Sequence, residues 1–332
     1  VMDVLGKVVL QLAALLVLLG LTSSCQVPYL IKSATGQAEI LAKRKPISSL
    51  LNDPQLSAEL SEDAKHKLRL SQEAREFAER TLKLKATQNY TSFVKLNRPY
   101  VTYVVSAAAK DKLEQYLWSF PIVGSVPYKG FFDEADAKEE AKLLQEKNLD
   151  TYIRGVSAYS TLGWFQDPLL SSMLRYSDRD LVETIIHETV HATLYIKSEA
   201  KFNERLASYL GQRGAQLFYL AKEGPDSKTL IEKKEEDADE RLFAEFITSE
   251  SDKLERWYQE KNAAFTEQER ENRLLEIQNR FKQNVLPKAK RLRFESFLKH
   301  KLNNAQLLTY KLYMDDMSDF EALDRKLQGD YQ

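Results

Sequence analysis

Cysteine is almost absent from this chain: Cys25 is the only one in 332 residues. A single thiol cannot close an internal disulfide, so the fold has to be held by packing. Neither sign of charge is in excess, with 48 Lys and Arg against 49 Asp and Glu and a formal charge of -1. No basic surplus marks a nucleic-acid surface. The one local basic run, Lys288 to Arg293, reads as a solvated helix face. Histidine is scarce, with four residues in all. No internal repeat and no sustained heptad is visible. The apolar run from Val8 to Leu21, broken by Gln11, falls short of the roughly 20 residues that a spanning helix needs. What is present, 43% hydrophobic and 29% charged residues, describes a globular protein with one large domain or two modest ones.

That short apolar run has a context. Lys7 precedes it, Thr22-Ser23-Ser24 follow, and then comes Cys25. The arrangement resembles a bacterial lipoprotein signal, with residues 1–24 as the signal peptide and Cys25 as the lipidated N-terminus. Residues 25–56 then read as a tether. Gln26 in place of aspartate implies the outer membrane, facing the periplasm; anchoring at the inner membrane or an uncleaved signal anchor are the alternatives. Stable anchoring fits several acyl chains better than one.

The stretch Asp180 to Gly214 carries the chemistry. His187-Glu188-Thr189-Val190-His191 is an HExxH pattern, and Asn203-Glu204 follows it. Residues four apart share a helix face, so the two imidazoles can grip one ion. Ser177 and Asp180 have the form of a capping box. Leu181, Ile185, Val190 and Leu194 form an inner stripe, with Val182, Ile186 and Ala192 beside it. The helix is expected to run about five residues past His191, roughly 7 Å, and to reverse at Lys197 to Glu199. A second helix from about Ala200 then returns Glu204 to the level of His191. Glu199 competes as third ligand but falls in the turn. Two histidines and a carboxylate, with a place left for water, is a catalytic zinc set. Glu188 is the expected base, Glu183 and Asn203 the candidate outer partners of the ligands, and Tyr159 and Tyr313 candidate donors to developing charge by residue type only. Glu183 reads equally well as one half of an ion pair. Leu194 and Lys197 stand where a metzincin would have glycine and a third histidine, which excludes that pattern.

The rest of the chain reads as mostly helical α+β. Helix is expected within Ser57–Leu84, with His66 on its surface, at Lys110–Trp118 and at Glu134–Lys147; strands at Val101–Val105 and Thr151–Tyr159; an irregular wall or edge at 120–132. Tyr152 to Ser160 is the candidate edge for pairing with a peptide backbone. Trp164 and Phe165 suit a pocket or the core. Asp167 and Pro168 look like a helix cap and first helical residue. Beyond Gly214 helices predominate: Glu232–Glu240 as a solvated face, an apolar side from Leu242 to Tyr258, a capping box at Thr266–Glu269, and a final part through Tyr313. The regions are then 57–222, carrying the metal motif beside a small sheet, and 223–332, a helical bundle packing on it.

The segments FPIVGSVPYKGFF (120–132), RGVSAYSTLGWFQDPLLSSML (154–174), HETVH (187–191), FNERLASYLGQRG (202–214) and LNNAQL (302–307) together resemble the bacterial family of predicted zinc aminopeptidases, lipoproteins recognised largely by sequence. The resemblance implies a zincin-like metallopeptidase acting on peptides, with zinc on His187, His191 and Glu204 and Glu188 as base. An endopeptidase of the same chemistry, or a lipid-anchored scaffold with a non-catalytic metal site, are the alternatives. Oligomeric state is not legible.

Overall fold

The computed structural model describes residues 26–120, 124–158, 166–291, 294, 296–313 and 317–327. The signal segment, Cys25, Tyr159, Trp164 and Phe165 lie outside these. No helix among the described residues is long and apolar enough to cross a membrane. The chain divides between Arg44 and Lys45 into two units. The first contains helix α1 (Gln26–Ala42) where a tether was expected. Pro28 near its start needs no amide donor there, and Lys43 bridges to Glu39 one turn back at 2.5 Å. Its apolar period is broken by Lys32, Ser33, Gly36 and Gln37, which hides the helix in the sequence.

The second unit opens with β1 (Lys45–Pro46) and helices α2 (Ile47–Asn52), α3 (Pro54–Ala58) and α4 (Glu62–Arg80). Strands β2 (Ser92–Val94), β3 (Thr102–Ala109), β4 (Trp118–Phe120), β5 (Gly124–Val126) and β6 (Tyr128–Phe131) follow, then α5 (Glu134–Glu146), β7 (Leu149–Val156) and β8 (Leu169–Leu170). Helices complete the unit: α6 (Asp178–Thr193), α7 (Ala200–Glu223), α8 (Lys228–Lys261), α9 (Glu267–Asn284), α10 (Ser296–Lys299), α11 (Asn304–Tyr313) and α12 (Ser318–Leu327). The α+β, mostly helical class is therefore observed. Among the described residues three small sheets form, in the orders β1-β2-β8, β6-β3-β7 and β4-β5.

The β6-β3-β7 sheet is antiparallel throughout, and its register puts Tyr128, Ser106 and Tyr152 in one row, with Gly130, Val104 and Arg154 in another. Side chains alternate along a strand, so both rows lie on one face. The opposite face packs on α5, where Lys129 and Trp118 both reach Glu140 at 3.0 and 2.9 Å. A separate core of Phe243, Ile247, Leu254, Tyr258, Leu274, Ile277, Phe281, Phe297 and Leu307 joins α8, α9, α10 and α11.

A buried polar network ties this bundle to the sheet. Arg270 (3% exposed) pairs with Asp150 (7% exposed) at the start of β7 and donates to the Lys110 carbonyl at 2.9 Å. Asn304 closes the network: its amide N–H donates to Asp150 at 2.9 Å, its side chain donates to the Ala109 carbonyl at 2.8 Å, and Tyr258 donates to its Oδ1 at 3.0 Å.

Several sequence expectations are corrected. Lys110–Trp118 is not a helix: Tyr116 bonds back to Ala107, and Trp118 opens β4. Asp167 caps no helix; it is buried, its amide bonds Asn89 at 3.0 Å, and Pro168 leads into β8. Glu232–Glu240 is not a wholly solvated face, because Lys233, Glu236 and Asp239 are buried. Residues 289–291 of the basic run are not helical either: Asp239 accepts from the Lys290 and Arg291 amides at 3.0 and 2.6 Å. The Thr266–Glu269 capping box forms in both directions.

Candidate metal centre

Helix α6 begins as its sequence dictates. Ser177 accepts from the Asp180 amide at 3.1 Å, while the Asp180 carboxylate accepts from Arg179 at 2.8 Å. Acids in the first turn suit the positive end of the helix dipole. Asp178 is also gripped from α4: the exposed His66 pairs with it at 2.6 Å and the buried Lys67 at 2.7 Å. Leu181, Val182, Ile185, Ile186 and Val190 are all buried, which fixes the rotation of the helix. The helix stops at Thr193, two residues beyond His191 and short of the five expected. Leu194 turns to extended backbone and is 47% exposed, so it leaves the inner stripe.

The early stop has a local cause. Asn203, on the first turn of α7, accepts from the Ile196 amide at 2.9 Å and donates to the Ile196 carbonyl at 2.7 Å. This two-way clasp satisfies the reversal's backbone and brings α7 back beside α6. Asn203 thus acts on the main chain of the turn. Glu199 sits exposed at the N-cap of α7.

The helices meet closely because α7 presents glycine. A Cβ on Gly211 would lie 3.2 Å from both the Glu183 carbonyl oxygen and His187 Cβ, and one on Gly214 would press on Ile186 and Leu82. Replacing Gly211 by valine is expected to destabilise the protein by about 1–3 kcal/mol through overpacking and to weaken metal binding about tenfold or more by moving His187. Thermal unfolding and a zinc titration would measure both; an unchanged midpoint and affinity would show that the contact can relax.

The ligand candidates converge. His187 Nε2 and His191 Nε2 are 3.1 Å apart. Glu204 places Oε2 3.7 Å from the first and Oε1 3.8 Å from the second. These spans bracket about 3.4 Å, the edge of a tetrahedron with roughly 2.1 Å metal bonds. His187, His191 and Glu204 are the one such group among the described residues. Burial, with the neighbouring His191, pushes His187 down to about 3, and burial pushes His191 down to about 4, so both are neutral and keep lone pairs for an ion. Burial raises Glu204 to about 7, against the pull of Arg154 and a Tyr128 hydrogen bond. Burial, Glu204 and Asp167 raise Glu188 to about 8. Glu188 Oε2 and His191 Nδ1 are buried with no hydrogen-bond partner among the described residues. Converging neutral imidazoles and a buried carboxyl fit a divalent cation.

The other expected residues fall variously. Glu183 is directed at Lys233 of α8, 3.9 Å away, and burial lifts its carboxyl to about 7. Tyr159 and the side chain of Tyr313 lie outside what is described. Strand β7 is an edge of its sheet, but its margin is occupied at both ends: Asn303 donates to the Thr151 carbonyl at 2.9 Å and Ser172 to the Ser157 carbonyl at 2.6 Å. Two residues not singled out in the sequence come to the site from the sheet. Tyr128 donates to Glu204 Oε1 at 3.4 Å, and Arg154, on the same sheet face, exerts its charge on Glu204. Only strand pairing brings them there; the sequence signals were their places in the 120–132 and 154–174 segments.

No curated protein and no solved structure matches the chain. A family model described as "Putative aminopeptidase" matches residues 28–332, nearly the whole of it, and the chain therefore belongs to that family.

Proposed function

We propose that this protein is a zinc-dependent peptidase that removes residues from the free N-termini of short peptides. The observation that supports it most is the convergence of His187, His191 and Glu204 beside the buried, unpartnered carboxyl oxygen of Glu188. A divalent ion held by the three ligands supplies Lewis acidity, which makes water nucleophilic near neutral pH and polarises a carbonyl. With a cation's charge beside it Glu188 would be ionised, able to take a proton from the attacking water and pass it to the departing nitrogen. The water oxygen bonds the carbonyl carbon, the C–N bond breaks, and the products are a free amine and a carboxylate. His187 and His191 orient the ion from one rigid helix, and Glu204 adds charge from the next.

Exopeptidase action follows the family's description. Placement at a bacterial outer membrane, tethered through lipid on Cys25, rests on residues 1–26 alone. The test is metal analysis of the purified protein together with fluorogenic aminoacyl and internally quenched peptide substrates. Stoichiometric zinc with release only from free N-termini is expected. Internal cleavage would make it an endopeptidase, and bound zinc without turnover of either substrate class would make the site a scaffold's.

A further inference from the structure

We infer that Tyr128 is the group that stabilises the negative charge developing on the substrate carbonyl oxygen. The role presupposes the peptidase reading above. Charge building on that oxygen needs a fixed hydrogen-bond donor besides an ion, and such a donor is useful only at the wall of the site where substrate enters. Tyr128 stands on β6, an outer strand, and its hydroxyl reaches the carboxylate of a metal-ligand candidate.

Its bond to Glu204 is 3.4 Å long, at the far limit for a hydroxyl donor. A phenol whose work was to hold that carboxylate would sit nearer the roughly 2.5–2.7 Å of a charge-assisted O–H···O contact. The hydroxyl reaches the coordination region while making only a long contact to the ligand. The floor beside it is open: Gly130, two residues along the same strand and on the same face, would carry a Cβ into space with nothing within 4 Å among the described residues. A substrate main chain laid over Gly130 would put its carbonyl beside the Tyr128 hydroxyl, with the Arg154 charge in the next row of the same face.

The other described phenols near the site serve less well. Tyr90 is 2% exposed and walled off from solvent. The Tyr176 hydroxyl is engaged with Ser157. Tyr195 feels the Glu204 charge but forms no hydrogen bond to a ligand candidate among the described residues.

The experiment compares Tyr128→Phe with wild type and with Tyr195→Phe in three readouts: zinc affinity, turnover at saturating zinc, and affinity for a phosphinic pseudodipeptide, whose tetrahedral centre mimics the charged oxygen. Expected for Tyr128→Phe is a loss of about 10²–10³-fold in kcat and about 10²-fold in phosphinate affinity, with zinc affinity and the Tyr195→Phe control unchanged. A fall of about 10–100-fold in zinc affinity, with turnover restored by excess zinc, would make Tyr128 a holder of Glu204 and overturn the assignment. Unchanged turnover and phosphinate affinity would overturn it as well. Wild-type protein that binds zinc but neither turns over peptides nor binds the phosphinate would instead remove the peptidase reading, and the Tyr128 role with it.

Discussion

Substituting Glu188 by glutamine is expected to leave one zinc bound per chain and to reduce peptide turnover by at least about 10³-fold, within the range general acid–base groups supply. The amide keeps the shape of the side chain and removes its basicity. His187, His191 and Glu204 are untouched, so the ion should stay. Wild-type Glu188 buries a carboxyl oxygen that no described residue bonds, and burial with the Glu204 charge nearby holds its proton on up to about 8. Such a group costs stability, about 1–3 kcal/mol for an unsatisfied buried acceptor. The glutamine amide is equally without a partner there, so the metal-free variant should melt close to the metal-free wild type. Zinc stoichiometry, kcat and a melting curve check the three statements together. Turnover near the wild-type rate would take Glu188 out of the proton route, and lost zinc would make it part of the metal shell.

Asp150→Ala should produce the largest loss of stability, about 3–5 kcal/mol, because it removes the buried counter-charge of the Arg270 guanidinium and leaves it only the more exposed Glu267 at 2.8 Å. The Asn304 amide loses its acceptor at the same time. The intact pair is not itself a large net gain: burial pushes the Asp150 carboxyl up even with Arg270 beside it. The double variant Asp150→Leu with Arg270→Met should accordingly recover much of the loss, since it removes both charges together. A melting point lowered by on the order of 10 °C in the single variant, and substantially restored in the double, is the expected pattern. A single variant within about 1 kcal/mol of wild type would show that Glu267 and relaxation of the region suffice for the arginine.

The metal helix is legible in the sequence because its information is local. Ser177 caps it, the apolar period runs from Leu181 to Val190, and the HExxH spacing is a helical turn. The return of Glu204 is legible for a related reason, since a short reversal leaves few ways back. What escapes one-dimensional reading is long-range. Lys233, Glu236 and Asp239 look like solvated charges until their helix is seen against another charged face, with Arg179 meeting Glu236 and Lys233 within 3.9 Å of Glu183. Lys110–Trp118 has helix-forming residues, yet the Ala109 and Lys110 carbonyls are claimed by Asn304 and Arg270 from far along the chain. Tyr128 and Arg154 reach Glu204 through a strand register that no spacing in the sequence encodes.

The glycine contact between α6 and α7 bears on which ions the centre can accept. At the level of His187 the two backbones touch almost directly, with no flexible side chain between them to act as a cushion. Widening the site on the His187 side thus means separating main chains, while on the other side only the Glu204 side chain can adjust. Ions such as calcium, which prefer bonds of about 2.3–2.6 Å and six or more oxygens, would have to force that separation. The backbone contact in this way disfavours larger ions, alongside the preference of the two nitrogen donors.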